Sequence, residues 1–144
     1  MHVKLRNKER LLLHTCCAPC SPHVIEILQR EFEVSAFFYN PNIHPIEEYR
    51  RRLDEMERFC KKVSVELMVG DYDTDQWFYI AKGLEDEKEG DKRCELCYQM
   101  RMEKAACVAQ TNSFQHFTTT LTLVPTRKLW SLTRLDMSCR RNIP

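Results

Sequence analysis

The sequence predicts an α/β domain: an open, mostly parallel three-layer sheet with helices on both faces. Three observations lead there. Short runs of apolar and β-branched residues recur at residues 11–13, 34–39, 63–69 and 114–124. The longer segments between them place apolar residues at spacings of three and four, the period of a helix buried on one side. Alternation of this kind builds βαβ units, with parallel strands and right-handed crossovers. Finally, 144 residues make one domain, able to bury ~68–70% of its unfolded surface without disulfides.

Taken in order, residues 1–10 form a charged lead and residues 11–13, all leucine, a buried strand. His14, Thr15 and the adjacent Cys16 and Cys17 stand at its end, and Ala18, Pro19 and Cys20 make a turn. Ser21 takes an N-cap position, with Pro22 where no backbone N–H is needed. That helix, residues 21–31, aligns Val24, Ile25, Leu28 and Phe32. The second strand, 34–39, ends in a loop where Pro41 and Pro45 exclude helix. A helix over residues 45–62 carries Ile46, Tyr49, Leu53, Met56 and Cys60 on its apolar face, with Arg50, Arg51 and Arg52 beside it. Residues 63–69 make a third strand ending at Gly70. A loop over 71–75 leads to a short helix, 76–82, whose Trp77, Phe78 and Tyr79 read as core. An acidic connection, 83–92, precedes a helix over 93–110 and a threonine-rich strand over 114–124. The catalytic-size unit is therefore residues 11–125, Rossmann-like or HUP-like in layout. Residues 126–144 form an atypical basic tail that leaves the βα pattern incomplete, as a truncated or altered C-terminus would.

Net charge is +1, so any RNA contact falls to local patches rather than to bulk electrostatics. The apolar run after the charged lead is too short for a signal sequence, and no stretch has the ~18–20 apolar residues of a membrane span. A cytoplasmic protein with no membrane partner is expected. In that reducing compartment, eight cysteines point to metal or catalysis. Cys16, Cys17 and Cys20 lie where a strand hands over to a helix, the edge at which α/β folds bind ligands. Cys94 and Cys97 form a C-x-x-C at a helix start, a spacing shared by redox pairs, half zinc sites and iron–sulfur motifs. The helix dipole, Lys92 and Arg93 favour thiolates there. If both groups meet at one sheet edge, the four thiolates Cys16, Cys17, Cys94 and Cys97 suit tetrahedral zinc or an iron–sulfur cluster. Cys60 and Cys107 read as small core residues, and Cys139 receives no role.

Five motifs carry a resemblance: HTCCAPCS at residues 14–21, YNPNIHP at 39–45 with Glu48 and Tyr49, KGLE at 82–85, RCELCY at 93–98 with Arg101, and FTTTL at 117–121. In this order they resemble the QueH family of cobalamin-independent epoxyqueuosine reductases, over residues 11 to about 125. The resemblance implies an iron–sulfur oxidoreductase that reduces epoxyqueuosine to queuosine at the tRNA wobble position, the last step of queuosine biosynthesis. It implies a [4Fe-4S] cluster, with or without an additional iron, held by Cys16, Cys17, Cys94 and Cys97. Its partners would be tRNA carrying epoxyqueuosine in the anticodon and an electron donor. Many relatives continue with Ser-Pro, a further helix and strand, and a late cysteine pair. Here Val124 and Pro125 lead to the solitary Cys139, and Cys20 is an extra thiol.

Turning an epoxide into an alkene takes two electrons, two protons and loss of water, and no side chain supplies such electrons. By location, the candidate proton donors are His14, Cys20, Tyr98 and Asp71. Asn40 and Asn42 are placed to hydrogen-bond the modified base. Arg50, Arg51, Lys92, Arg93, Arg101 and Lys104 are placed to meet RNA phosphates. The alternative is a zinc-binding RNA-interaction module that uses the same thiolates without catalysis. An ATP-dependent sulfur-transfer or ligase enzyme would want a glycine-rich loop after the first strand. The chain's glycines, Gly70, Gly83 and Gly90, all lie elsewhere.

Overall fold

Leu11, Leu12 and Leu13 are wholly buried, as a strand covered on both faces requires. In the computed structural model, which describes residues 7–121 and the backbone of 130–131, they belong to β1 (Glu9–Thr15). The chain continues through α1 (Pro22–Leu28), β2 (Phe32–Phe38), α2 (Ile46–Val63) and β3 (Glu66–Val69). It then forms α3 (Thr74–Ala81), α4 (Lys92–Thr111), β4 (His116–Thr119) and a short β5 (Trp130–Ser131). Among the described residues the sheet order is β3-β2-β1-β4-β5. Strands β1 to β4 are parallel, and β5 runs antiparallel to β4. The mostly parallel sheet read from the sequence is therefore present. Its order steps outward from β1 to β3 and then returns to β1's other side with β4. That reversal opens a crevice at the C-terminal ends of β1 and β4.

Alternation along the strands sorts side chains into two layers. Leu11, Leu13, Ala36 and Phe38 pack with Ile25 of α1 and with Met56 and Cys60 of α2. Leu12, Phe37 and Phe117 face the other way, against Met102, Ala105, Ala106 and Ala109 of α4. Alanines on that helix face bring its backbone close to the sheet. Helix α3 packs on α4 through Trp77, which meets Cys97 and Met100. Gly70, at the end of β3, has no room for a Cβ, which would meet Tyr39 Cδ2 at 2.8 Å and the Phe37 ring at 3.1 Å.

Several boundaries differ from the sequence reading. Strand β3 starts at Glu66 because Val63 still belongs to α2, which Ser64 ends in the left-handed region at φ 57°. Phe114 precedes β4 and closes α4 instead, its N–H donating to the Ala109 carbonyl at 2.9 Å. Ile46 lies off the apolar face of α2, 40% exposed. In α3 only Trp77 is core, while Phe78 and Tyr79 are 57% and 82% exposed. Three consecutive helical residues span most of a turn, so a helix resting on one neighbour cannot bury them all. Cys60 is buried, whereas Cys107 is half-buried and disulfide-bonded. Residues 122–129 and 132–144, which include the end of the predicted last strand and most of the basic tail, lie outside the described residues. Among the described residues no helix is long and apolar enough to cross a membrane.

Candidate metal centre

At the end of β1, Thr15 stands opposite Phe38 of β2, and His14 opposite Thr119 of β4. The backbone then runs extended at Cys17 and tightens into a 3₁₀ turn over Ala18–Cys20. Ser21 sits at the N-cap of α1, but its hydroxyl does not cap the helix. It donates to the Cys17 carbonyl at 2.9 Å, and the Ser21 N–H donates to Ala18 O at 3.1 Å. The turn is held folded, with Cys17 Sγ 3.7 Å from Cys16 Sγ and 3.1 Å from Cys20 Sγ. All three sulfurs lie within 4.8 Å of one another. Cys16 Sγ also comes within 4.0 Å of Thr120 Oγ1, and the Thr120 N–H donates to His14 O at 3.0 Å.

Crowding and burial raise the thiols of Cys16 and Cys20. Burial pushes the Cys16 thiol up, and the neighbouring Cys17 adds to it. Cys20 is pushed up to about 12, first by its hydrogen bond with Cys17 and then by burial. Adjacent thiolates repel, so several can ionise together only around a cation. Convergent, half-buried thiols are the donor set of zinc and of iron–sulfur clusters, and the residues present fit either group.

Cys94 and Cys97 occupy the first two turns of α4, outside the three-sulfur group. Cys94 Sγ accepts a hydrogen bond from the Gly90 N–H at 3.3 Å. The helix start does not depress the Cys97 thiol as the sequence suggested. Burial raises it, and the Arg101 guanidinium only partly opposes that. Arg101 is the link between the two groups. Its Nη1 donates to Asn40 Oδ1 at 3.3 Å and its Nε to Cys97 O at 3.4 Å. Its charge opposes the upward shift of both the Cys97 and the Cys16 thiol.

Three expectations need correction. His14 is fully buried, with Nε2–H donating to Tyr39 O at 2.8 Å and Nδ1 accepting from the Thr119 hydroxyl at 2.9 Å. Burial, then Arg101, lowers its pKa to about 3. The ring is a neutral brace and not a proton donor. Asn40, also fully buried, uses its Nδ2 on Thr15 O at 3.0 Å and its Oδ1 on Arg101, so its amide is spent within the fold. Arg101 is 9% exposed, which removes it from the surface that meets phosphates.

The other candidates are dispersed. Asn42 keeps a buried Oδ1 with no hydrogen-bond partner among the described residues, an acceptor available to a ligand. Tyr98 is half-buried against the α4-side core, and Asp71 is exposed beyond β3. Arg93 donates to Glu85 O at 3.1 Å, Arg51 and Arg52 both pair with Glu48, and Arg50 is exposed. Lys104 lies over the Tyr39 ring. A cavity of about 580 Å³ opens beside α3 and α4, lined by Tyr39, Tyr79, Gln99 and Lys104 among others, and touches none of the five site cysteines. Sequence reasoning passed over Thr119, Thr120 and Ser21 as site builders. Their signal was polar residues at the buried ends of apolar strands.

A parallel α/β sheet with clustered thiols in its C-terminal crevice defines a Rossmann-like domain built to hold a thiolate-ligated metal centre. Residues 11–142 match the family described as Epoxyqueuosine reductase QueH. Proteins named Epoxyqueuosine reductase QueH are 49% identical over 123 residues in Acinetobacter baylyi (83% of this chain, 56% of that one). The figures are 50% over 113 residues in Haemophilus influenzae (78% and 46%) and 32% over 142 in Staphylococcus aureus (93% and 59%). The fold is similar to that of the U34-tRNA thiolase NcsA from Methanococcus maripaludis with its [4Fe-4S] cluster. That likeness has a TM-score of 0.58 at 14% identity and covers 81% of this chain and 39% of that one. The chain belongs to the QueH family. It spans about half the length of the curated relatives it matches.

Proposed function

We propose that this chain is the cluster-bearing part of a cytoplasmic epoxyqueuosine reductase, an iron–sulfur oxidoreductase acting on tRNA with electrons from a separate donor. The observation that carries it is three thiols within 4.8 Å in the crevice of a QueH-family fold. Cys16, Cys17, Cys94 and Cys97 would hold a [4Fe-4S] cluster, with or without an additional iron. When bound, the cluster supplies the electrons and a Lewis-acidic site for the epoxide oxygen. Overall, the epoxide takes up two electrons and two protons and gives an alkene and water.

The protein's part is to position and to protonate. Cys20, with its Sγ 3.1 Å from Cys17 Sγ, is the proton donor in this proposal, ahead of Tyr98 and Asp71. Asn42 Oδ1, buried without a partner, would accept a hydrogen bond from the modified base. A wobble base lies in a loop and can be splayed outward to reach such a crevice. Arg50, Arg93, Lys92 and Lys104 are left for phosphates.

Anaerobic reconstitution followed by iron, sulfide and Mössbauer analysis tests this reading. A brown protein with iron and sulfide in cluster ratio is expected, and Cys16→Ala or Cys94→Ala should lower bound iron. One observation favours the zinc alternative. Four sulfurs about 2.3 Å from one ion stand roughly 3.8 Å apart, close to the Cys16–Cys17 separation of 3.7 Å. A colourless protein that retains stoichiometric zinc would establish that alternative.

A further inference from the structure

Arg101 is the buried charge that the fold leaves unanswered. At 9% exposure Arg101 is almost out of water, and an arginine guanidinium carries a positive charge in proteins. Buried cations are tolerated when paired. Yet no carboxylate pairs with Arg101 among the described residues. Both of its hydrogen bonds go to neutral oxygens, Asn40 Oδ1 and Cys97 O. The contrast with α2 is direct, since Arg51 and Arg52 there share Glu48.

Beside Arg101, His14 is held between Tyr39 O and the Thr119 hydroxyl. Asn40 is an amide fixed to Thr15 O, and so presents its Oδ1 to the guanidinium in one orientation. The hydrogen bonds lead to both cysteine groups: Arg101 Nε donates to the carbonyl of Cys97 itself, and Asn40, which receives Nη1, is fixed to the carbonyl of Thr15, the residue before Cys16.

We propose that Arg101 is the fixed counter-charge of the sulfur site, a positioning residue that balances the negative charge gathered there by ligated thiolates and sets the reduction potential of the centre. The inference rests on the iron–sulfur reading above. Its physical basis is that net charge and local hydrogen bonds tune such potentials. A positive charge held in low dielectric stabilises the reduced, more negative form. The Asn40 bridge ties that charge to Thr15 O at the end of β1, while Arg101 Nε ties it to Cys97 O on α4.

The test compares wild type, Arg101→Gln and Arg101→Lys after anaerobic reconstitution, reading iron and sulfide per chain and the midpoint potential by redox titration. Arg101→Gln is expected to move the potential downward, and Arg101→Lys, which keeps the charge without the planar fork, to restore most of the shift. A loaded Arg101→Gln protein at the wild-type potential overturns the proposal and leaves the iron–sulfur reading intact. Should Arg101→Gln fail to fold or load, Arg101→Lys decides. Wild-type iron content and potential in the lysine variant support the counter-charge. Iron loss as complete as in the glutamine variant makes Arg101 a hydrogen-bonding stitch and ends the proposal. A wild-type protein that takes up zinc and no iron removes the iron–sulfur reading and this inference together.

Discussion

The two cysteine groups are held in different ways. Cys16, Cys17 and Cys20 leave the central strand of the sheet, whose leucines are completely buried, and are fixed by a short turn that Ser21 ties back on itself. Cys94 and Cys97 ride on the first turns of α4. That end of the helix is tied down by Arg93 to Glu85 O and by Arg101 to Asn40. The first group is thus preorganised by the core, whereas the second depends on how a helix docks. Preorganisation of this kind puts metal geometry under the control of packing far from the sulfurs.

The sharpest way to break this contrast is to remove one sulfur from each group. Cys17 sits between Cys16 and Cys20, so Cys17→Ala should lose most bound iron. Cys94→Ala should retain a weakly held fraction, measured as iron per chain after gel filtration. Equal losses would mean that both groups are equally rigid. The next largest effect is on stability. Leu12→Ala under the strand-end group should cost about 2–5 kcal/mol in a denaturant titration, against about 1 kcal/mol for Ala109→Gly on α4. Thr119→Val strips the His14 Nδ1 of its donor and should cost about 1–3 kcal/mol, the penalty of an unsatisfied buried group. Arg93→Ala should cost no more than about 1 kcal/mol, because the contact it removes is at the surface. A larger loss there would show that the α4 end is pinned more firmly than its contacts indicate.

Much of this was legible before any coordinates. The all-leucine run at residues 11–13 had to be a strand covered on both sides, and β1 is that strand. The 45–62 periodicity became α2 with its boundaries nearly intact. Strand ends were less legible. Val63 reads equally well as helix or strand, and the left-handed Ser64 that settles it is a backbone property. In the site, the sequence grouped Cys16 and Cys17 with Cys94 and Cys97, whereas the three sulfurs that lie together among the described residues are Cys16, Cys17 and Cys20. Cys20 joins Cys16 and Cys17 because Ser21 folds the turn back, and a serine at that position is equally compatible with capping.

By itself, the sequence determined which segments form the layers and where thiols are concentrated along the chain, since apolar period and thiol content are local properties. The tertiary structure alone decided what the polar residues near those thiols do. His14, Asn40 and Arg101 all looked available to a substrate. Once buried, two are used up as brace and bridge, and the third becomes a charge with no carboxylate partner among the described residues. The physical reason is desolvation. A polar group taken out of water must bond to whatever the fold places beside it, and strand order and helix docking, which no short motif encodes, fix what that neighbour is.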